Sequence, residues 1–271
     1  EYQMIDCGNF QKLEQVGPFL LVRPALGAVW APALPTSEWK KAVGVFVRDR
    51  TSNGDWQWKK NIPENWNVEV DGLTYLVKPT SFGHLGLFFE HQTCWERLKP
   101  KNCKRLLNLF AYTGALSLQA ARAGAEVVHV DASKAAVSWA RENAQLSGLD
   151  AKPVRWIVED ASTFIKREIR REQKYDAVIL DPPSYGRGEK KQVWKIEDHL
   201  IEMLTDIEKL LSPRASIGLS SHSQGYTPLA LGNLLSSVYG RGELMSEELL
   251  IQSKSGYPLP SGAFAFLTRN L

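Results

Sequence analysis

The sequence predicts an α/β protein: a Rossmann-like domain built on seven strands, preceded by a small β-rich domain. Three observations carry this. Between residues 105 and 158, apolar runs of strand length alternate with amphipathic helical patterns. Three of the apolar runs deliver an acid at or just past their ends, Asp131, Asp160 and Asp181. Ahead of residue 79 the pattern changes to short runs broken by turn signals.

In that first segment the expected strands are 19–22, 43–48, 56–59, 66–70 and 74–78. Asn53-Gly54 and Asp71-Gly72 stand between such runs, and each is a signature of a two-residue hairpin turn. The division falls near Pro79, giving domains 1–78 and 79–271. Trp30, Trp39, Trp56, Trp58 and Trp66 concentrate in the first domain. Most read as packing in a thin domain, and a few as platforms on which unpaired bases could stack.

The second domain opens with a helix, 90–98. Strand 105–110 ends in a turn around Gly114, and helix 115–123 leads to strand 126–130 and Asp131. Helix 133–147, stopped by Gly148, leads to strand 154–158 and Asp160. Helix 161–173 leads to strand 175–180, which delivers Asp181-Pro182-Pro183-Ser184-Tyr185. Helix 194–211, strand 215–220, helix 227–239 and two last strands, 243–251 and 263–267, complete the pattern. No internal repeat or low-complexity stretch interrupts it.

A dinucleotide-binding domain would need the G-x-G-x-x-G fingerprint, whose early glycines let the backbone approach a pyrophosphate. Here the turn reads Phe110-Ala111-Tyr112-Thr113-Gly114-Ala115, with one glycine. Gly114 alone would mark only a turn, and Asp131 alone only a helix cap. Taken in order with Asp160 and Asp181-Pro182-Pro183, they point to a nucleoside cofactor without phosphates, S-adenosylmethionine.

The 271 residues suffice for a doubly wound core and a small extra domain. With 44% hydrophobic and 23% charged residues the composition is that of a globular protein. No apolar run is long enough to span a bilayer, and EYQMIDCGNF lacks the basic and apolar regions of a secretory signal. Cys7, Cys94 and Cys103 are too few and too scattered for a disulfide framework or a zinc site, so a reducing cytoplasm and no metal are expected.

Net charge is +3, unevenly distributed: residues 101–200 hold 17 basic and 13 acidic side chains, and residues 1–100 hold 11 of each. Lys166-Arg167 and Arg170-Arg171 read as a solvated helix face. Arg187, Lys190 and Lys191 directly follow the Asp181 motif, where an RNA backbone would pass.

NLFAYTGALSLQAARAGA, VDASKAAVSWARENAQLSGL and DPPSYGRG resemble the bacterial class I methyltransferases of large-subunit ribosomal RNA, the 5-methylcytosine and 7-methylguanine enzymes of 23S rRNA. The resemblance covers residues 82–271, and residues 1–78 resemble the family only loosely. The family's larger members carry an N-terminal RNA-binding module for which this chain looks too short. The resemblance implies a seven-stranded sheet with its last strand inserted antiparallel, S-adenosylmethionine as cofactor and RNA as partner.

It also implies roles for particular residues. Asp131, with Ala132 and Ser133, holds the ribose. Asp160 accepts the adenine amino hydrogen beside the Ala161 amide. Asn108, Phe110, Tyr112, Thr113 and Gly114 surround the methionine portion. The segment FGHLGLFFEHQ resembles the family motif over the methionine end. There Gly86, Phe88 and Glu90 match, while Leu87 replaces an aromatic and His91 stands where glutamine is usual. An amphipathic helix start with buried Phe residues fits the same segment. Asp181, Pro182, Pro183 and Tyr185 face the target base, with Asp181 also bordering the cofactor.

Methylation at carbon-5 of cytosine needs a cysteine thiolate that adds to carbon-6. In the matching enzymes that cysteine lies in a Ser-Cys-Ser setting; here the segment is Ser220-Ser221-His222-Ser223, and His222 takes its place. This points to a purine nitrogen, guanine ahead of adenine, attacking directly while Asp181 or His222 orients it or takes a proton. His222 bonding only the backbone is equally compatible with the sequence. Three other activities fit less well: 5-methylcytosine formation, a small-molecule or protein methyltransferase, and a non-catalytic cofactor- and RNA-binding assembly factor. The three acids favour an enzyme, and Ser184 ahead of Tyr185 is the ribosomal RNA arrangement.

Overall fold

The computed structural model describes residues 1–48, 54–97, 103–187 and 193–269. Packing divides them into two compact units: residues 1–90 with 250–261, and residues 91–249 with 262–271.

In the smaller unit β1 (Tyr2–Gly8), β2 (Gln11–Val16), β3 (Phe19–Pro24), β4 (Gly44–Arg48) and β5 (Gly54–Trp58) form a sheet in that order, with the short helix α1 (Thr36–Trp39) between β3 and β4. β6 (Trp66–Val70) and β7 (Leu73–Val77) make a separate hairpin. Val70 pairs Leu73 across Asp71 (φ 47°) and Gly72 (φ 70°), the two positive-φ residues that the Asp-Gly signal requires.

Strands β1 and β2 are additional to the sequence reading. Their turn uses Asn9 (φ 49°) and Phe10 (φ 62°), and a Phe there gives no turn signal. Their inward positions carry Asp6 and Glu14, both fully buried. Asp6 accepts bonds from the Cys7, Ala33 and Leu34 amides and from the Trp39 indole. Glu14 is bridged by Arg23 at 2.7 Å and Lys12 at 3.1 Å and accepts the Tyr2 hydroxyl. Trp30, Trp39, Trp56 and Trp66 each donate their indole N–H to a partner within the unit, as packing residues do.

The smaller unit runs past Pro79 to Glu90 and takes back residues 250–261. The reason is pairing and packing: Lys254 and Ser255 amides donate to Met4 and Ile5, and Ile251 and Leu259 pack with Met4, Cys7 and Ala28.

The larger unit begins at His91, the last residue of a 3-10 turn (Phe89–His91), and α2 (Gln92–Arg97) follows, so the expected helix 90–98 is entered through 3-10 geometry. Then follow β8 (Arg105–Leu109), α3 (Ala115–Arg122), β9 (Glu126–Asp131), α4 (Lys134–Leu146), β10 (Val154–Val158), α5 (Ala161–Arg170) and β11 (Tyr175–Leu180). A small hairpin, β12 (Tyr185–Arg187) with β13 (Val193–Lys195), precedes α6 (Ile196–Glu208), β14 (Leu211–Ser221), α7 (Pro228–Tyr239), β15 (Gly242–Ile251) and β16 (Leu259–Arg269). The seven-stranded sheet has the order β10-β9-β8-β11-β14-β16-β15. β10, β9, β8, β11 and β14 pair in parallel, and β16 joins β14 antiparallel. The inner strands β9 and β11 read as continuous apolar runs because both faces are covered, whereas β10 at the sheet edge stays half-exposed. The α5–α6–α7 side packs Phe164, Leu200, Leu204, Ile207 and Leu235 over β8, β9, β11 and β14.

Strand order reverses between β8 and β11: the chain runs outward through β9 and β10, then returns across β8 to β11. A crevice outside the carboxyl ends of such strands is where doubly wound folds bind ligands.

Candidate active site at the carboxyl ends of the strands

The turn after β8 is held open by three left-handed residues, Phe110 (φ 55°), Tyr112 (φ 50°) and Gly114 (φ 84°). Gly114 caps α3, and a Cβ there would lie 3.0 Å from the Ala140 Cβ, so glycine is needed both for its φ and for the approach of α4. Thr113 is buried, with its carbonyl accepting from Asn143. The turn thus presents backbone rather than bulk.

Asp131 ends β9. The Tyr112 amide donates to its Oδ2 and the Ser133 amide to its Oδ1, each at 2.8 Å. Burial raises the Asp131 carboxyl above its ordinary range, and the two amides oppose that. Each oxygen keeps a lone pair beyond the one it spends, which is what a ribose diol needs. Ala132 is exposed, and Ser133 caps α4 by accepting the Ala136 amide.

Asp160 caps α5 through Oδ1, which accepts the Thr163 amide at 2.9 Å, and Ala161 begins the helix, buried. Beside it opens a cleft of about 280 Å³, lined among others by Ser162, Val193, Trp194 and His199. The Trp194 ring lies 5.2 Å from Phe110 and 5.5 Å from His199, and its N–H donates to the Pro183 carbonyl at 2.6 Å. The sequence predicts Trp194 at the start of helix 194–211 and gives it no part in the site; it lies instead in β13, whose pairing with β12 sets its ring beside Phe110.

Asn108 lies within reach of this region, but its side chain is committed elsewhere. Its Nδ2 donates to Ser117 Oγ at 2.9 Å, and that oxygen meets His129 Nδ1 at 3.0 Å. The three are buried braces between β8, β9 and α3, and burial brings the His129 imidazole down to about 3, so it stays neutral. Phe88 and Glu90 fall in the smaller unit. Phe88 sits edge-on to His84, and Glu90 is buried within the field of Arg23.

At the end of β11, Asp181 is partly exposed. Ser220 Oγ on neighbouring β14 donates to its Oδ1 at 2.7 Å. His222 Nδ1 lies 3.7 Å from that oxygen, and His91 Nε2 lies 3.5 Å from Oδ2. Sequence reading singled out Asp181 and His222 and noted His91 only as an oddity. Nothing in the spacing of positions 91, 181 and 222 signals that they meet. Pro182 is buried and Pro183 exposed. Ser184 accepts the Ile196 amide, and Tyr185 pairs Lys195, exposed at the start of the hairpin. Arg187 ends β12; Lys190 and Lys191 lie outside the described residues.

Matching the sequence to a family model for S-adenosylmethionine-dependent methyltransferases aligns residues 15–220. The chain belongs to that family. The match starts well inside the β-rich segment, farther upstream than the motif resemblance that begins at residue 82. Among solved structures, the SAM-dependent methyltransferase of Agrobacterium tumefaciens superposes with a TM-score of 0.94 at 39% identity, over 99% of this chain and 90% of that one. A putative methyltransferase solved with SAH, SMU.776, shares the fold at a TM-score of 0.75 and 19% identity, over 96% and 71% of the two chains. Among curated relatives, the ribosomal RNA large subunit methyltransferase K/L of Alteromonas mediterranea is 32% identical over 191 residues, 69% of this chain and 27% of that protein. The chain spans about a quarter of the length of such relatives.

The residues present fit S-adenosylmethionine. The Asp131 carboxylate ends β9 with an amide on each oxygen, a one-glycine turn precedes it, and the sequence has no second or third glycine there to cradle a pyrophosphate. No helix among the described residues is long and apolar enough to cross a membrane.

Proposed function

We propose that this protein methylates a purine nitrogen of ribosomal RNA, guanine ahead of adenine, in the cytoplasm. The observation that carries the reading is the Asp181 carboxylate at the end of β11, fixed by Ser220 and flanked by two imidazoles, with no cysteine in the sequence at 181–184 or 220–223. Bound S-adenosylmethionine supplies an electrophilic methyl group. In-line transfer then depends on positioning. Asp131 accepts the ribose hydroxyls, and the Asp160 carboxylate and Ala161 amide take the adenine edge, with Phe110 and Trp194 beside it. Tyr112, Thr113 and Gly114 border the methionine portion. Asp181 and the rigid Pro182-Pro183 turn present the target base, whose nitrogen lone pair attacks directly.

The ribosomal RNA substrate is favoured by the K/L relatives and by the basic residues after the motif. If Arg187, Lys190 and Lys191 grip the RNA backbone, changing all three to Ala raises the RNA dissociation constant. The log–log salt slope flattens by roughly 0.7–0.9 per lost phosphate contact, with S-adenosylmethionine affinity unchanged. The decisive experiment is mass spectrometry of rRNA nucleosides from a deletion strain, repeated after complementation. One methylated purine should vanish and return; loss of 5-methylcytidine instead, or no change in any rRNA nucleoside, overturns the proposal.

A further inference from the structure

We propose that His91, Asp181 and His222 form a binding site for a divalent transition-metal ion of the zinc class. Their donor atoms, one from each residue, all lie within 4.8 Å of one another. They arrive from three separate segments: the end of the 3-10 turn before α2, the residue after β11 and the residue after β14. Each imidazole nitrogen addresses a different oxygen of Asp181, at 3.5 and 3.7 Å. Those separations are too long for good hydrogen bonds, which run at about 2.7–3.2 Å. They are close to the roughly 3.4 Å that separates two donors each about 2.1 Å from a tetrahedral ion.

The surroundings match a ligand set. Ser220 donates to Asp181 Oδ1 at 2.7 Å, the kind of outer hydrogen bond that orients a metal-binding carboxylate. The His222 ring is confined on one side by Gly262: a Cβ at that position would come within 3.1 Å of the ring. The His91 Nε2 is shielded from solvent while Asp181 stays a quarter exposed, so the set has a dry side and an open side. Two imidazoles and a carboxylate suit zinc, cobalt or iron(II) better than magnesium or calcium. Three protein ligands leave a fourth position for water or a substrate oxygen, as in catalytic rather than structural sites.

The inference concerns binding and does not require the RNA reading. The test uses Co²⁺ as a spectroscopic stand-in for Zn²⁺ on the metal-stripped full chain. One equivalent should give the visible bands of a four- or five-coordinate ion, without a sulfur charge-transfer band, and added Zn²⁺ should abolish them. His91→Asn and His222→Asn should each weaken Co²⁺ binding at least tenfold while near-UV circular dichroism keeps the wild-type shape. Ser220→Ala should weaken it by about tenfold. No visible band at one equivalent, a sulfur band, or unchanged binding in the His91→Asn/His222→Asn double variant would overturn the site. S-adenosylmethionine titration of the same metal-free samples separates the two proposals: its failure counts against the methyltransferase reading alone.

Discussion

On the proposed reading, cofactor affinity turns on Asp131. Its carboxylate is held by two backbone amides in a partly buried position, so removing it strands both amides as well as the ribose hydroxyls. Asp131→Ala should weaken S-adenosylmethionine binding by about 1–3 kcal/mol, read by calorimetry, with one-to-one stoichiometry in the wild type. Saturable NAD binding in place of S-adenosylmethionine would contradict the site assignment. The cysteines make the complementary case. Cys7 and Cys94 are buried, and the Cys7 thiol lies 3.4 Å from the Tyr257 carbonyl. Burial pushes the Cys103 thiol up to about 12, far from a thiolate at neutral pH. A variant with all three changed to Ser should therefore keep its transfer activity. A covalent adduct with RNA carrying 5-fluorocytosine would restore carbon-5 chemistry.

The turn joining β8 to α3 shows why some elements are legible in a sequence and others are not. Strands β9 and β11 announce themselves as apolar runs ending in acids, because burial on both faces leaves few other options, while the edge strand β10 is legible from its length and its place between two helical patterns. Gly114 announces the turn, but the positive φ of Phe110 and Tyr112 leaves no trace in composition. Strands β1 and β2 were hidden by the opposite effect: Asp6 and Glu14 interrupt the apolar pattern, and only tertiary partners make their burial tolerable. The β12–β13 pair leaves no signal, since strands of three residues carry no period: residues 185–191 read as a loop and Trp194 onward as a helix. Of the candidate site, the three acids are legible from order along the chain and His222 only through the family resemblance. His91 and Trp194 were not, since each acquires its place only when distant segments pair. Gly114→Ala tests how much the turn depends on its glycine. The added Cβ meets Ala140 at 3.0 Å in a left-handed backbone. A loss of about 1–3 kcal/mol of stability is expected, measured by denaturant midpoint, together with weaker cofactor binding. An unchanged midpoint would mean that α4 yields readily.

Acid should act on the two units in different pH windows, because each buries a different titratable group. In the larger unit the His129 imidazole is held neutral down to about 3, against 6.5 when unfolded. Between those values the unfolded chain binds a proton that the native chain refuses. Stability conferred by the neutral ring is therefore complete above pH 6.5. It is lost as pH falls toward 3, at about 1.4 kcal/mol per pH unit. In the smaller unit burial alone would raise the Glu14 carboxyl, but Arg23 and Lys12 outweigh it and hold it at about 2, against 4.5. Its contribution is complete above pH 4.5 and lost only as pH falls toward 2. Between pH 6.5 and 4.5, then, His129 weakens the larger unit while Glu14 leaves the smaller one untouched. Hydrogen exchange followed from pH 7.5 to 4.5 should show protection falling first in β8, β9 and α3. His129→Asn keeps an acceptor-capable side chain near Ser117 without a group that protonates in this range. It should lower stability at pH 7.5 but flatten the dependence below 6.5. Glu14→Gln should leave that dependence intact while destabilising the smaller unit at neutral pH by about 3–5 kcal/mol, the cost of stranding a buried Arg23. If His129→Asn keeps the wild-type slope, the acid sensitivity of the larger unit belongs to another group.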